Sequence, residues 1–289
     1  MNRIRIDNFA ASKTLPQDDD WLFSQRAFYA EFEPSPRDDK VVDHLYVMKD
    51  CGIMTADRCA FASPFIEIAF SFREPLEENR GSARIVVIQP AFGHRRKSRT
   101  FHGWVFGLKM HPSACHLPST ETSPFTNCQE RLAQEIRKGP SPDHILRALD
   151  GFCRDLASRP HVHSSGMTQY LEGPRADVTR LAAVSGQSSR TLQRRIKAST
   201  GLSPKRFLAV GRFRHAVQEI SASNASLSAV AGDLGFADQA HLTREFRRHA
   251  GLTPGAFQRA WGGSRGQTVR FVQDAQAPTR LRMAVWAQD

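Results

Sequence analysis

The feature that most constrains this fold is an internal repeat in the last third of the chain. Residues 181–204 read LAAVSGQSSRTLQRRIKASTGLSP, and residues 230–254 read VAGDLGFADQAHLTREFRRHAGLTP. Nine positions pair up, with an offset of 49 residues as far as Gly186 and Gly235 and of 50 residues after them. Because so many positions agree, the two segments are predicted to fold alike, with one extra residue in the second turn near Phe236.

Each copy has the pattern of two short helices joined by a tight turn. The first helices are predicted over Asp177–Val184 and Leu227–Leu234. Gly186 and Gly235 follow them, and glycine tolerates the positive φ that ends a helix and reverses the chain. The small residues of these helices, Ala182 and Ala231, allow two helices to approach closely.

The second helix of each copy is predicted to be amphipathic. Ser188 and Asp238 precede these helices, and their side-chain oxygens are suited to cap them. Apolar residues recur at i and i+4 spacing and are predicted to be buried: Leu192 and Ile196, then Leu242 and Phe246. The opposite faces carry basic and amide side chains: Arg190, Gln193, Arg194 and Lys197, then Gln239, His241, Arg244, Arg247 and Arg248.

The charge of the chain is concentrated in the half that contains the repeat. The net charge is +11, of which residues 1–164 carry +1 and residues 165–289 carry +10. A basic half suits a polyanionic partner, and arginine and glutamine suit guanine and adenine edges in the major groove. One such helix would fit an ordinary solvated face equally well. Two in tandem in a basic half favour DNA binding.

Between the copies, residues 204–223 are predicted to form a long helix, opened by Ser203 and Pro204. A rigid helix would fix the separation of two reading heads, and successive major-groove segments on one DNA face lie roughly 34 Å apart. Thr253 and Pro254 are predicted to open a final helix, and the glycines at 262 and 263 to end it.

Residues 166–262 resemble the DNA-binding domain of the AraC/XylS family of bacterial transcription regulators. GFADQAHLTREFRRHAGLTP is very close to the motif of its second helix-turn-helix, and SPKRFLAVGRFRHA resembles its linker helix, with Arg212 and Ala216 in their usual places. The resemblance implies an all-α bundle of about seven helices that holds two helix-turn-helix units. It covers about a third of the chain.

The resemblance also implies roles for individual side chains. It places base contacts at Arg190, Gln193 and Arg194 in the first recognition helix and at Gln239, His241 and Arg244 in the second. Ala240 replaces a polar reader of some members. Contacts to phosphate, which position the protein without specifying sequence, are expected from Ser189, Lys197 and Arg247. The denser basic face of the first helix predicts that it dominates base contact.

The first half of the chain is predicted to be a mixed α+β domain, strand-rich and then helical. The predicted strands are Phe28–Phe32, Val41–Met48, Pro64–Phe72, Arg84–Gln89 and Phe101–Met110, and the predicted helices are Thr126–Lys138 and Pro142–Ser158. The predicted organisation is an N-terminal domain over 1–158, a linker over 159–165, the DNA-binding domain over 166–262 and a tail over 263–289. The family resemblance implies that the N-terminal domain serves in sensing or dimerisation. The tail contains two short β-like segments, Thr268–Val272 and Leu281–Trp286. The sequence is compatible either with a hairpin of these segments or with a loose tail.

Other chemistry finds weaker support in the sequence. Five scattered cysteines without a Cys-x-x-Cys pair indicate neither a disulfide framework nor a zinc site. His161 and His163 lack a third ligand nearby. The basic run from His94 to Lys97 is interpreted as a solvated loop, with a site for an anionic effector or a contact with DNA as the alternatives. Cys115 beside His116 is interpreted as an ordinary cysteine. No cofactor, metal or catalytic group is expected.

The predicted function is a sequence-specific transcription regulator, with activation favoured over repression. The alternative is a DNA-repair or other enzyme fused to an AraC-type domain. The expected partner is double-stranded DNA. A small-molecule effector, RNA polymerase and a second copy of the chain are further candidates, and no membrane partner is expected. The N-terminus lacks a secretory signal, so a bacterial cytoplasmic, nucleoid-associated protein is predicted.

Overall fold

The computed structural model of this chain describes residues 27–35, 41–51, 59–74, 83–96, 101–111, 119–158, 177–222, 225–262, 270–271 and 281–287. The strands are β1 (Ala27–Phe32), β2 (Val42–Cys51), β3 (Cys59–Ala60), β4 (Ile66–Arg73), β5 (Ala83–Ile88), β6 (Arg95–Arg96), β7 (His102–Met110), β8 (Arg270–Phe271) and β9 (Leu281–Ala287). The helices are α1 (Ser123–Lys138), α2 (Pro142–Ala157), α3 (Val178–Val184), α4 (Ser189–Thr200), α5 (Pro204–Ala222), α6 (Leu227–Asp233), α7 (Gln239–Ala250) and α8 (Pro254–Gly262).

Seven strands form one antiparallel sheet in the order β5-β4-β7-β2-β1-β9-β8. Its centre is the pairing of β7 with β2 on one side and β4 on the other, with Phe106 opposite both Val47 and Phe70. These strands are rich in β-branched and aromatic residues, which pack well on a pleated surface. The five strands predicted in this half are all present, with bounds shifted by at most three residues.

Helices α1 and α2 cover one face of the sheet and complete its core. Phe70 of β4 lies 5.2 Å from Phe152 of α2, and Phe125 of α1 lies 5.0 Å from Phe152, measured between ring centroids. All three rings are buried. The mixed α+β class predicted for the N-terminal half is therefore confirmed.

The opposite face of the sheet is more polar. The rings of Tyr29 and Tyr46 stack at 5.8 Å, and their hydroxyls donate to Glu31 and Glu67 at 2.8 Å and 2.7 Å. Burial, reinforced by the adjacent carboxylates, raises the pKa of both tyrosines well above 10.0. Both tyrosines therefore stay neutral donors at neutral pH.

The tail predicted over 263–289 contributes strands to this sheet. β8 pairs antiparallel with β9, and β9 pairs antiparallel with β1 from Ala27 opposite Ala287 to Phe32 opposite Leu281. Of the two possibilities left open by the sequence, the structure shows paired strands. The segment following the helical region thus returns to the sheet that precedes it.

Helices α3 to α8 form the all-α region, which is built on the long helix α5. We call α3 and α4 the first unit, and α6 and α7 the second unit. The buried side chains of the two units form two separate clusters: Leu181, Leu192, Ile196 and Phe207 in one, and Phe213, Val230, Leu242, Phe246 and Phe257 in the other. Two helix-turn-helix units are present, as predicted.

Within the described ranges, no helix is both long and apolar enough to span a membrane. The linker predicted at 159–165, with His161 and His163, lies outside the described residues, as do Cys115 and His116.

Candidate nucleic-acid interface

The turn of each unit has the predicted geometry. Gly186 and Gly235 have φ of +62° and +72°, in the left-handed region that glycine occupies without a Cβ penalty. The first helix of each unit ends at residues 184 and 233, and the second begins at 189 and 239. The extra residue of the second copy therefore lies in its turn, as predicted.

The recognition helix α4 is fixed by a cap and by two buried side chains. The Ser188 hydroxyl accepts a hydrogen bond from the Thr191 backbone N–H at 3.1 Å, which satisfies one of the free donors at the helix start. Leu192 and Ile196 are buried on the inner face, as predicted. This fixes which side of α4 is presented outward.

The outward face of α4 carries the side chains expected to read DNA. Ser189, Arg190, Gln193 and Arg194 are all exposed. Lys197 is also exposed, but its Nζ donates to the Gly201 carbonyl at 2.8 Å, at the C-terminal end of the helix. A phosphate contact by Lys197 would compete with this bond.

The recognition helix α7 is built in the same way. The Asp238 carboxylate accepts from the His241 backbone N–H at 2.5 Å, and Leu242 and Phe246 are buried. Gln239 and Arg244 are exposed on the outer face. The predicted caps and core positions of both recognition helices are thus confirmed.

His241 is more constrained than the other expected readers. Its ring lies 5.5 Å from Phe236, edge to face, and its Nδ1 accepts from the Ala237 backbone N–H at 3.3 Å. Because Nδ1 acts as an acceptor, the proton of the neutral imidazole is on Nε2. A base contact by His241 would therefore be made by a donor and would require an acceptor such as guanine O6 or N7.

The C-terminal turn of α7 is held by the N-terminal half of the chain. His249 is fully buried, and its Nδ1–H donates to the Phe92 carbonyl at 2.5 Å. Burial lowers the pKa of His249, against the opposing effects of that carbonyl and of Glu245. Arg248 is exposed and pairs with Glu245 at 2.9 Å, while Arg247 is exposed.

Sequence patterns did not reveal this contact. Phe92 and His249 are 157 residues apart, and although His249 lies within the motif of the second unit, no local pattern connects it with Phe92. The run from His94 to Lys97 was interpreted as solvated. His94 is exposed, but its Nδ1 lies 3.3 Å from the Arg248 carbonyl oxygen, and Arg95 and Arg96 form strand β6, so this run is not a free solvated loop.

Helix α5 connects the two units and also clamps the second turn. The guanidinium of Arg212 lies 5.4 Å from the centroid of the Phe236 ring, and its Nη1 donates to the Gly235 carbonyl at 3.4 Å. Ala216 is fully buried among the side chains of the second unit. The two positions singled out in the linker helix therefore both hold the second unit in place.

The cysteines with described side chains are buried. Cys128 and Cys153 are reduced thiols, and burial raises the pKa of the Cys128 thiol far above its usual value. Such a thiol is a poor nucleophile because little thiolate forms. Among the described residues, no group of three or more His, Cys, Asp or Glu side chains could hold a metal ion.

Comparison with known proteins agrees with this geometry. A family model described as a helix-turn-helix domain matches residues 181–260. The HTH-type transcriptional regulator RipA of Corynebacterium glutamicum is 43% identical over 94 residues, which are 32% of this chain and 28% of that protein. Residues 181–260 form an AraC-type helix-turn-helix domain.

Two further relatives are named as transcription regulators. The AraC-like transcription regulator of Streptomyces lividans is 30% identical over 125 residues, which are 40% of this chain and 41% of that protein. The HTH-type transcriptional activator RhaS of Escherichia coli O157:H7 is 38% identical over 88 residues, 29% of this chain and 32% of its own length. The chain thus spans well under half the length of these relatives.

Proposed function

We propose that this protein is a sequence-specific transcription regulator that reads two adjacent major-groove segments with α4 and α7. The observation that carries the proposal is the pair of matching recognition helices. Each is capped by a side-chain oxygen, each buries two apolar side chains of its inner face, and each presents exposed arginine and glutamine outward. Arginine and glutamine side chains are suited to bidentate contacts with guanine and adenine edges.

The proposed base contacts are those of six outward-facing side chains: Arg190, Gln193, Arg194, Gln239, His241 and Arg244. Ser189, Lys197 and Arg247 are proposed to contact phosphate. Ser189 opens α4, where backbone N–H groups and the positive end of the helix dipole favour an anion.

The N-terminal domain is proposed to sense a small molecule or to form a dimer, and RNA polymerase is the proposed partner in activation. RhaS is named a transcriptional activator, which favours activation over repression for this chain. The proposed location is the bacterial cytoplasm, at the nucleoid. The proposed role involves no cofactor and no catalysis. Stoichiometric zinc in the purified protein would instead support the enzyme alternative.

Selection of bound sites from a random DNA pool tests the proposal directly. The full chain is expected to enrich a site with two short specified segments about one helical turn apart. The matched control is the double variant Arg190→Ala and Arg194→Ala, which should lose specification at one segment and keep the other. Enrichment of no sequence by the unaltered chain would overturn the proposal.

The proposed phosphate contact of Lys197 has its own test. Lys197→Ala should weaken binding to all sequences alike and reduce the slope of log affinity against log salt by about one. Because Nζ already bonds to the Gly201 carbonyl, an unchanged slope would show that the lysine only caps α4. Binding is measured by titration at several salt concentrations on the selected site and on unrelated DNA.

A further inference from the structure

Two loops of the N-terminal half reach the helix-turn-helix units together. We call residues 61–65 and 91–94 the interdomain loops. They are joined to each other by two backbone hydrogen bonds, from Ser63 N–H to the Ala91 carbonyl at 3.0 Å and from Ala91 N–H to the Ser63 carbonyl at 2.8 Å. The adjoining strands β3 and β6 also pair. The loops are therefore one connected body, anchored in the sheet through β4 and β5.

The first interdomain loop completes the core of the second unit. The Phe61 ring lies 5.9 Å from Phe213 and 6.0 Å from Phe257, edge to face in both cases. Ala62 is buried in the same cluster, and its N–H donates to the His249 carbonyl at 2.9 Å. This second unit thus uses side chains of the N-terminal domain as part of its own interior.

The same loop also completes the core of the first unit. Phe65 is buried in the cluster of Leu181, Leu192, Ile196 and Phe207. The Arg214 guanidinium of α5 lies 4.6 Å from the centroid of the Phe65 ring and pairs with the Asp43 carboxylate of β2 at 3.0 Å and 3.1 Å. An apolar contact and a largely buried ion pair therefore hold α5 on the sheet.

Phe92, in the second loop, packs against both clusters. It also lies beneath two guanidiniums: Arg206 is 5.1 Å from its ring centroid and Arg248 is 5.9 Å away. Among the residues that the structure describes, the two clusters are otherwise separate, with the first at the N-terminal end of α5 and the second along its remaining turns. The loops thus form a second connection between the units, in parallel with α5.

We propose that the interdomain loops set the placement of the two recognition helices relative to each other, with Phe92 as the principal positioning residue. The loops touch the C-terminal turn of α7, while Arg190, Gln193, Arg194, Gln239 and Arg244 stay exposed. They therefore position the reading surface without covering it. The N-terminal sheet, which carries these loops, would then help to determine which spacing between two DNA segments the protein can bind. This inference rests on the proposed function.

The test measures tolerance to spacing with the full-length chain. The probes are the site selected by the unaltered protein and the same site with one base pair inserted between its two segments. The insertion moves one segment by about 3.4 Å along the axis, so a fixed pair of helices cannot match both segments. The unaltered chain should lose at least about tenfold in affinity. For the Phe92→Ala variant, the same insertion should reduce affinity by less than about threefold, and its affinity for the original site should be lower than that of the unaltered chain.

Three variants separate positioning from simple loss of stability. Phe92→Leu keeps an apolar side chain between the clusters and should restore discrimination between the two probes. Phe125→Leu weakens the distant core beneath α1 and should discriminate like the unaltered chain, as should Val86→Ala on the exposed strand β5. Thermal unfolding of each variant identifies the temperature at which all are folded.

The outcomes are distinct. If a folded Phe92→Ala variant discriminates between the two probes as well as the unaltered chain does, the proposed role of the interdomain loops is overturned. The same holds if Phe125→Leu loses as much of this discrimination as Phe92→Ala. If the unaltered chain selects no site, the proposed function fails before any variant is made.

Discussion

The two helix-turn-helix units have the same backbone geometry but differ in their core side chains and in their surface charge. Each has a glycine turn, capped helices and a left-handed glycine at the end of its recognition helix, with φ of +69° at Gly201 and +80° at Gly251. The first unit packs mainly Leu and Ile around Phe207. The second packs a group of phenylalanines, with Phe213 5.1 Å from Phe246 and Phe246 5.5 Å from Phe257.

The two recognition helices also differ in their charged side chains. α4 has four basic side chains and no acidic one, whereas α7 has three arginines and one glutamate. In α7, that glutamate pairs with Arg248 and the final turn is packed against the interdomain loops. The comparison shows that the caps and glycines specify the turn in both units, while the core side chains and the surface charge differ between the units without changing that turn. This difference in charge supports the proposal that the first unit makes most of the base contacts and that the second mainly anchors the protein on DNA.

The largest expected effect tests whether the two clusters are energetically separate. Phe246→Ala removes a buried ring and should cost about 3–5 kcal/mol of unfolding free energy. Hydrogen exchange should accelerate in α6, α7 and α8 while α3 and α4 keep most of their protection. Equal acceleration in both units would show that they unfold as one cooperative body and that their clusters are not energetically separate.

The next effect compares the reading faces. Arg194→Ala and Arg244→Ala should each reduce discrimination at one base position by about 1–3 kcal/mol if the side chain is bidentate to guanine. Titration against every single-base variant of the selected site measures this loss. Arg259→Ala is the matched control, because this exposed arginine lies in α8, outside both recognition helices, and its loss should leave base preference unchanged. A larger loss from Arg244 than from Arg194 would reverse the assigned roles.

A smaller effect tests the shared turn. A Cβ at Gly186 would meet nothing within 4 Å, so Gly186→Ala isolates the cost of the left-handed conformation, about 1–2 kcal/mol. Gly232→Ala is the control, since its Cβ also meets nothing and its backbone is helical. It should stabilise by up to about 1 kcal/mol. Chemical denaturation measures both, and effects of the same sign would contradict the explanation.

The smallest effect concerns the buried histidine, which only the second unit has. Burial lowers the pKa of His249 from its usual 6.5, so the unfolded chain binds this proton more tightly. The free energy of unfolding is then fully retained above about pH 6.5 and falls below it. His249→Leu should flatten the decline in Tm between about pH 7 and pH 5. An unchanged slope would mean that Glu245 and the Phe92 carbonyl offset the burial.

Much of this fold could be predicted because its determinants are local. The glycine turns, the caps Ser188 and Asp238, and the i, i+4 apolar pairs act within one or two helical turns, so the sequence displays them directly. The strands of the N-terminal half show the same local signal in their β-branched and aromatic runs. Exposure of the expected reading side chains also follows from helical periodicity, although their contacts with DNA stay predictions.

What could not be predicted depends on tertiary packing. Phe65 and Phe92 are ordinary apolar residues in short loops, and nothing local shows that they enter the cores of the two units. The pairing of β9 with β1 joins residues separated by most of the chain. Lys197 was expected to contact phosphate, and its bond to Gly201 depends on a side-chain conformation that helical periodicity leaves open.

The return of β9 to the sheet gives the helical region two tethers in place of one. Residues 178–262 leave the sheet domain after α2 and rejoin it at β8 and β9, so this region is inserted in the sheet domain instead of following it. A body held at both ends cannot swing freely about a single linker. Deleting 281–287 would free one tether and expose the edge of β1, whose unpaired backbone groups invite another strand. Purification tags and fusion partners are therefore better placed away from β9.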